Sequence, residues 1–363
     1  MINKSKKVAV ALSGGVDSSV ALALLKNQGF DVVGFYMRLW KDNANKKQQT
    51  ETEKRVREIG KVLGVKIFIF DFQKEFKKIV TDYFLAELKK GNTPNPCVVC
   101  NSKVKFGLLM KKTKEMGCDY LATGHYAKKI KTKNEKLKII KAGCIEKDQS
   151  YFLWQLKQSQ LRRVIFPLGE IESKQMVKEM ANKFGLPTYE TPESNDVCFL
   201  AQTNLQQFLT KKMGEQRAQR VGKVVDLKGN ILGEHKGLWF YTIGQRKGIE
   251  IPIKKGRTGL PWFVVKKDIK KNVLIVSQNE KDLFGRELIV KKVNWVSITE
   301  PKLPLKCMAK IRYGAKETTA IIKEKISLNK YRVVFTKPQR AITPGQSVVW
   351  YLGKELLGGG IIE

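Results

Sequence analysis

Histidine is almost missing from this chain: His125 and His235 are the only two among 363 residues. That scarcity excludes a His-rich metal site and leaves cysteine and carboxylate to carry any chemistry. Acidic residues are also few, 34 Asp+Glu against 69 Lys+Arg, for a formal net charge of +35. Such an excess favours a polyanionic partner, nucleic acid before a membrane surface, although lysines scattered over solvated helix faces also raise the count. No run is apolar enough to span a bilayer, and no signal-peptide core precedes the strand beginning near Val8. The expectation is a cytoplasmic protein with no membrane partner. The six cysteines, Cys97, Cys100, Cys118, Cys144, Cys198 and Cys307, do not read as a disulfide framework in that compartment.

The length predicts two or three domains. In the first half, strand and helix signals alternate. VAVAL (8–12) precedes a helix from Ser18 to Gly29. VVGFYM (32–37) precedes a helix over 48–63. KIFIF (66–70) precedes a helix over 75–90, and a helix near Lys103–Met116 leads to DYLATGHYA (119–127). That alternation predicts a doubly wound parallel sheet, with ligands outside the carboxyl ends of its strands. From about residue 205 the texture turns to short β-like runs with Gly, Pro and Asn between them, predicting a small barrel or sandwich. The expected organisation is a nucleotide-binding α/β domain over 1–204, a small central module over 205–268, and a C-terminal β-barrel over 269–363.

Between the first strand and its helix lies SGGVDSS (13–19). Its glycines permit close backbone approach, and the helix N-terminus and serine hydroxyls offer donors to phosphate oxygens. It is neither G-x-x-x-x-G-K-[ST] nor G-x-G-x-x-G. With no lysine in the loop, holding a departing pyrophosphate is a better reading than γ-phosphoryl transfer, and Asp17 could carry a magnesium ion. The plain alternative is a Gly-Gly turn capped by serine. In TPNPCVVCNSKVKFG (93–107) two X-Pro steps deliver Cys97 and Cys100. A redox pair, metal ligation and a nucleophilic thiol all remain open, and Lys103 and Lys105 predict a depressed thiol pKa. Cys198, in TPESNDVCFL (191–200), would by itself more often be core than catalyst, and Cys118, Cys144 and Cys307 read as core.

Together these stretches resemble one family. SGGVDSS is similar to the PP-loop of ATP pyrophosphatases (adenine nucleotide alpha hydrolase-like). The order TPNP-x-x-x-CN (93–101), ATGHYA (122–127), KDQSYFL (147–153), the Cys198 loop, YTIGQRKG (241–248) and PGQSVVWY with LLGGGII (344–362) resembles the tRNA-specific 2-thiouridylases. The resemblance implies ATP- and Mg²⁺-dependent adenylation of the C2 oxygen of a wobble uridine, U34, in lysine, glutamate and glutamine tRNAs. A persulfide on Cys198, loaded from a sulfur donor such as a cysteine desulfurase or relay protein, would then replace that oxygen. Cys100 would assist and could pair with Cys198 in a disulfide. It further implies ATP contacts at Ala11, Leu12, Ser13, Gly14, Gly15, Val16, Asp17, Ser18, Met37 and Gly124. Base contacts are implied at Asn95, Pro96 and Cys97, and tRNA contacts at His125, Lys147, Asp148, Gln149, Arg312, Tyr313 and Gln346. Cys97 stands where many members carry Asp, which completes a set of three thiols that could alternatively hold a [4Fe-4S] cluster. The rival functions are an adenylating N-transferase and a non-catalytic RNA-binding protein with a dead loop. The first lacks an amine-delivery module, and the second is disfavoured because Ser13, Asp17, Cys100 and Cys198 are all present.

Overall fold

The computed structural model describes residues 5–40, 46–191, 197–200, 205–214, 220–249, 251 and 259–363. The first domain is built on a five-stranded, all-parallel sheet. Its order is Ile67–Asp71, Asp31–Arg38, Lys7–Leu12, Tyr120–Thr123, Val164–Ile165. Strand order reverses on either side of Lys7–Leu12, so the crevice for a ligand opens beyond its carboxyl end and that of Tyr120–Thr123. Ala11 lies opposite both Phe35 and Thr123, which fixes the register there. Alternate residues feed two cores: Val8, Val10 and Leu12 pack with the helix Val16–Asn27, and Ala9 with Phe35, Phe76 and Phe106 on the other face. Burial on both faces explains why these strands read as continuous apolar runs.

The expected helices need two corrections. The one over 75–90 runs as Gln73–Phe76, a π-helical Lys77–Thr81 and Asp82–Lys89. The one expected near Lys103 starts at Pro96, continues as a π-helix over Cys100–Leu109 and ends in Met110–Glu115. It starts early because Asn95 caps it, Oδ1 accepting from Cys97 N at 3.2 Å and Val98 N at 3.4 Å, with Pro96 in the first turn. Both cysteines of the C-x-x-C are therefore helical.

The run 119–127 is a strand with its exit loop, as expected, but that loop leads into a hairpin that was not. Tyr120–Thr123 stays in the parallel sheet, while Ala127–Lys131 pairs with Leu137–Lys141 as a hairpin. Leu137–Lys141 also pairs with Glu355–Ile362, extending the C-terminal sheet from within the first domain.

The middle module is a four-stranded sheet in the order Phe263–Asp268, Val273–Ser277, Gly222–Val225, Ile231–His235. The expected edge at 268/269 falls inside an antiparallel pair, because Asp268 faces Val273 across a tight turn. The module thus keeps Val273–Ser277, and the barrel begins at Phe284. The other expected edge, at 204/205, adjoins residues outside those described. Six antiparallel strands, Phe284–Trp295, Lys330–Arg340, Thr318–Ser327, Leu305–Lys310, Ser347–Leu352 and Glu355–Ile362, close on themselves through Val290 opposite Ile362. Buried Trp350 and half-buried Trp295 pack at a tilt in its core, ring centroids 4.9 Å apart. Among the described residues no helix is long and apolar enough to cross a membrane.

Candidate active site

The loop after the first strand is organised by its own hydroxyls. Ser18 Oγ donates to Gly15 O at 3.0 Å and accepts from Ser13 N at 3.1 Å, and Ser19 Oγ donates to Gly15 O at 2.9 Å. Gly14 adopts φ +78°, and a β-carbon there would lie 2.6 Å from Thr52 Cγ2. Gly124 comes so near the helix start that its β-carbon would meet the Asp17–Ser18 backbone at 2.8 Å. Both positions require glycine for space, which the plain turn reading does not demand.

A cavity of about 310 Å³ opens at the strand-order reversal. Of the residues assigned to ATP, Ala11, Leu12, Ser13, Asp17, Ser18, Met37 and Gly124 line it. Gly14, Gly15 and Val16 do not; the glycines shape the loop, and Val16 is buried in the core. His125 and Gln149, assigned to tRNA, line the same cavity with Thr123 and Lys105. His125 Nδ1 shares a 2.8 Å hydrogen bond with Thr123 Oγ1, and burial followed by Lys105 holds its pKa well below the usual range, so the ring is neutral. Gln149 Oε1 accepts from Tyr126 N at 3.2 Å.

A lysine reaches Asp17 from elsewhere in the chain. Lys174 Nζ lies 2.5 Å from Asp17 Oδ1, and the Tyr126 hydroxyl donates to the same oxygen at 2.7 Å. Lys174 opens the helix Lys174–Lys183, capped by Ser173 Oγ accepting from Met176 N. Sequence reasoning missed this pair because 157 positions separate its members; the Ser173 cap before an amphipathic run was the one local signal. Asp17 is the only acid among the described residues lining the cavity. Among the described residues no three of His, Cys, Asp and Glu are arranged to hold a metal ion. A magnesium ion fits here only as one held mainly by phosphate oxygens, with Asp17 as a protein ligand.

Lys105 reaches the second half of the site, acting electrostatically on Cys97, Cys100 and Cys198. The predicted depression of the thiol pKa is reversed. Burial raises Cys97, pushes Cys100 up to about 11 and Cys198 up to about 12, outweighing Lys105 in each case. Lys103 is exposed and contributes nothing to these shifts. Cys198 is itself solvent-exposed, which limits how far desolvation can act there. The direction stands because neighbouring Cys100 and Cys97 push the same way. All six cysteines are free, so no Cys100–Cys198 disulfide is formed. Among the described residues the three thiols are not grouped to hold a single metal ion.

Phe199 anchors the Cys198 turn, its ring packed against Phe208, Phe84, Trp40 and Phe76 at 5.3–6.1 Å. The rest of the preceding loop, 192–196, lies outside the described residues. Of the remaining assigned residues, Asn95 caps the cysteine helix, Pro96 is buried in its first turn, and Lys147 is half-buried. Asp148 is buried within its own loop: it accepts from Ala142 N at 3.0 Å and Ser150 Oγ at 2.6 Å, so its carboxylate is not displayed to RNA. Tyr313 is exposed and packs at a tilt on Phe152, ring centroids 4.6 Å apart, beside half-buried Arg312. Gln346 turns inward, Nε2 donating to Thr93 O at 2.7 Å.

Comparison with known proteins agrees with this division. Residues 6–202 match the family model described as the tRNA methyl transferase HUP domain, 206–278 its PRC-barrel domain, and 285–362 the aminomethyltransferase β-barrel domain. The chain is 42% identical over 99% of its length to the tRNA-specific 2-thiouridylase MnmA of Clostridioides difficile, covering 98% of that protein. It is 40% identical over its full length to the protein of that name from Buchnera aphidicola, covering 98% of it. Among solved structures, the U34-tRNA thiolase NcsA of Methanococcus maripaludis with its [4Fe-4S] cluster aligns at 20% identity and a TM-score of 0.36. That alignment covers 59% of this chain and 70% of that one, too loosely to carry an argument about the cluster.

Proposed function

Because the chain belongs to the tRNA-specific 2-thiouridylase family, we propose that it replaces the C2 oxygen of the wobble uridine of tRNA by sulfur, using ATP and a cysteine-borne persulfide. The observation that carries this reading is Lys105, which lines the cavity and also acts electrostatically on all three thiols. Oxygen activation and sulfur delivery then meet at one place.

The C2 oxygen is a poor leaving group, and ATP supplies the adenylyl group that makes it a good one. The Ser13–Ser18 loop and the N-terminus of Val16–Asn27 hold the departing pyrophosphate. Lys174, kept in place by Asp17, takes the role of the lysine the loop lacks. His125, neutral, can polarise without adding charge. The terminal sulfur of a Cys198 persulfide attacks C2, and AMP leaves with the former C2 oxygen. Cys100 then attacks Cys198 Sγ, releasing C2=S and forming a Cys100–Cys198 disulfide that an external thiol must reduce. With both thiols protonated in the free protein, RNA binding has to change their surroundings before they react. The basic excess supports the polyanion, and Tyr313 on Phe152 supports a base contact.

The test is direct. Protein, ATP, Mg²⁺, a persulfide donor and unmodified lysine tRNA are incubated, and the digested RNA is analysed by mass spectrometry. The expected result is 2-thiouridine at the wobble position, lost in Cys198→Ser. AMP and pyrophosphate without thiouridine would leave adenylation standing and overturn the sulfur route.

A further inference from the structure

The approach to the cysteine helix is held largely from outside its own domain. Thr93 N donates to Pro344 O at 2.8 Å, and Thr93 O accepts from Gln346 Nε2 at 2.7 Å. Both backbone polar groups of Thr93 are thus satisfied by one corner of the barrel. Its side chain meets the middle module, Oγ1 lying 3.3 Å from Thr242 Oγ1. Gly345, at φ +92°, presses in so closely that a β-carbon would lie 2.8 Å from Asn92 Cβ and 3.0 Å from Thr93 N. The corner is itself fixed: Gln346 N donates to Thr343 O, and Gln346 O accepts from Ile362 N.

The same corner reaches the helix by a second route. Asn95, which caps the Cys97–Cys100 segment, acts electrostatically on the Tyr151 hydroxyl, and that hydroxyl donates to Ser347 O at 2.9 Å. Trp154 Nε1 donates to Ser347 Oγ at 3.0 Å. From Thr93 to Cys97 is four residues, too few to absorb a displacement without passing it on.

We infer that the Pro344–Ser347 corner of the barrel positions the cysteine helix, and that Gln346 acts on the thiols through Thr93. The inference rests on the thiolation reading for its consequence in turnover, but not for its geometry. The Gln346 amide is committed in the free protein to the half-buried Thr93 carbonyl. The glycine beside it does mechanical work that an RNA contact does not need.

Two variants test this. Gln346→Met keeps the length of the side chain and removes its donor. Gly345→Ala removes no polar group and pushes on Asn92 and Thr93. In RNA-free protein, iodoacetamide labelling at Cys97 and Cys100, read by peptide mass spectrometry, is expected to rise about tenfold in both variants. Thiolation kcat is expected to fall about tenfold, with tRNA Kd and its salt dependence within about twofold of the parent. Unchanged labelling in both variants, with tRNA Kd weakened about tenfold in Gln346→Met and kcat retained at saturating tRNA, overturns the inference. Labelling decides the point even where the parent shows no thiolation, so failure of the functional reading stays separate from failure of this one.

Discussion

Cys100 sits buried where the cysteine helix widens into π-helical turns, its approach loop tied to two other domains. Cys198 stands exposed in a turn whose anchor is the neighbouring Phe199, held among Trp40, Phe76, Phe84 and Phe208. One thiol is placed by the scaffold; the other is displayed beside a single pinned residue. The difference suits the two tasks proposed for them. A sulfur carrier has to be reached by a donor from solvent, whereas the resolving thiol has to wait where the base will be.

The largest expected effect separates them. Cys100→Ser should still acquire persulfide sulfur at Cys198, seen as a mass increment, while multiple-turnover thiouridine falls about 10³-fold or more, as for loss of a nucleophile. Loading lost together with turnover would erase the distinction. Next is Lys174→Met, which touches neither thiol. It should slow tRNA-dependent pyrophosphate release about 10²–10³-fold, the range for removing one preorganised electrostatic partner. Cys198 loading should be unaffected.

The pH dependence sharpens the comparison further. With Cys100 pushed up to about 11 and Cys198 raised as well, both carry little thiolate at neutral pH. Alkylation of each in RNA-free protein should therefore climb about tenfold per pH unit from 7 to 10 without a plateau. A plateau for Cys198 below pH 9 would show that its thiolate is stabilised instead. The smallest effect is expected for Phe199→Leu. It keeps apolar bulk but loses the aromatic contacts, costing about 1–2 kcal/mol of stability and slowing Cys198-dependent transfer a few-fold, with ATP binding unchanged by calorimetry.

What the sequence showed and hid follows from distance along the chain and from burial. SGGVDSS between a strand and a helix is a local pattern, and the family resemblance pointed to Met37 and Gly124; seven of the ten residues assigned to ATP line the cavity. Lys174 was not legible, because no local rule joins it to Asp17. Lys103 and Lys105 suggested thiolates because charge is visible in a sequence and desolvation is not. Asp148 and Gln346 are polar residues in polar loops, and only packing shows that they face inward. The hairpin strand Ala127–Lys131 was overlooked for a related reason. Its sequence, AKKIK, is mostly lysine, which reads as solvated loop, and the strand that stabilises its neighbour lies more than 200 residues away.

That hairpin also bears on how the protein is made. On the ribosome, Leu137–Lys141 emerges early, yet its outer partner, Glu355–Leu356, follows some two hundred codons later. Lys138 then pairs with Glu355, and Lys141 N donates to Lys354 O. Until that point the nascent first domain carries an open strand edge of the kind that invites mispairing. Lys138 and Lys141 lie along that edge, and charges so placed are a common guard against its joining a neighbour on a polysome.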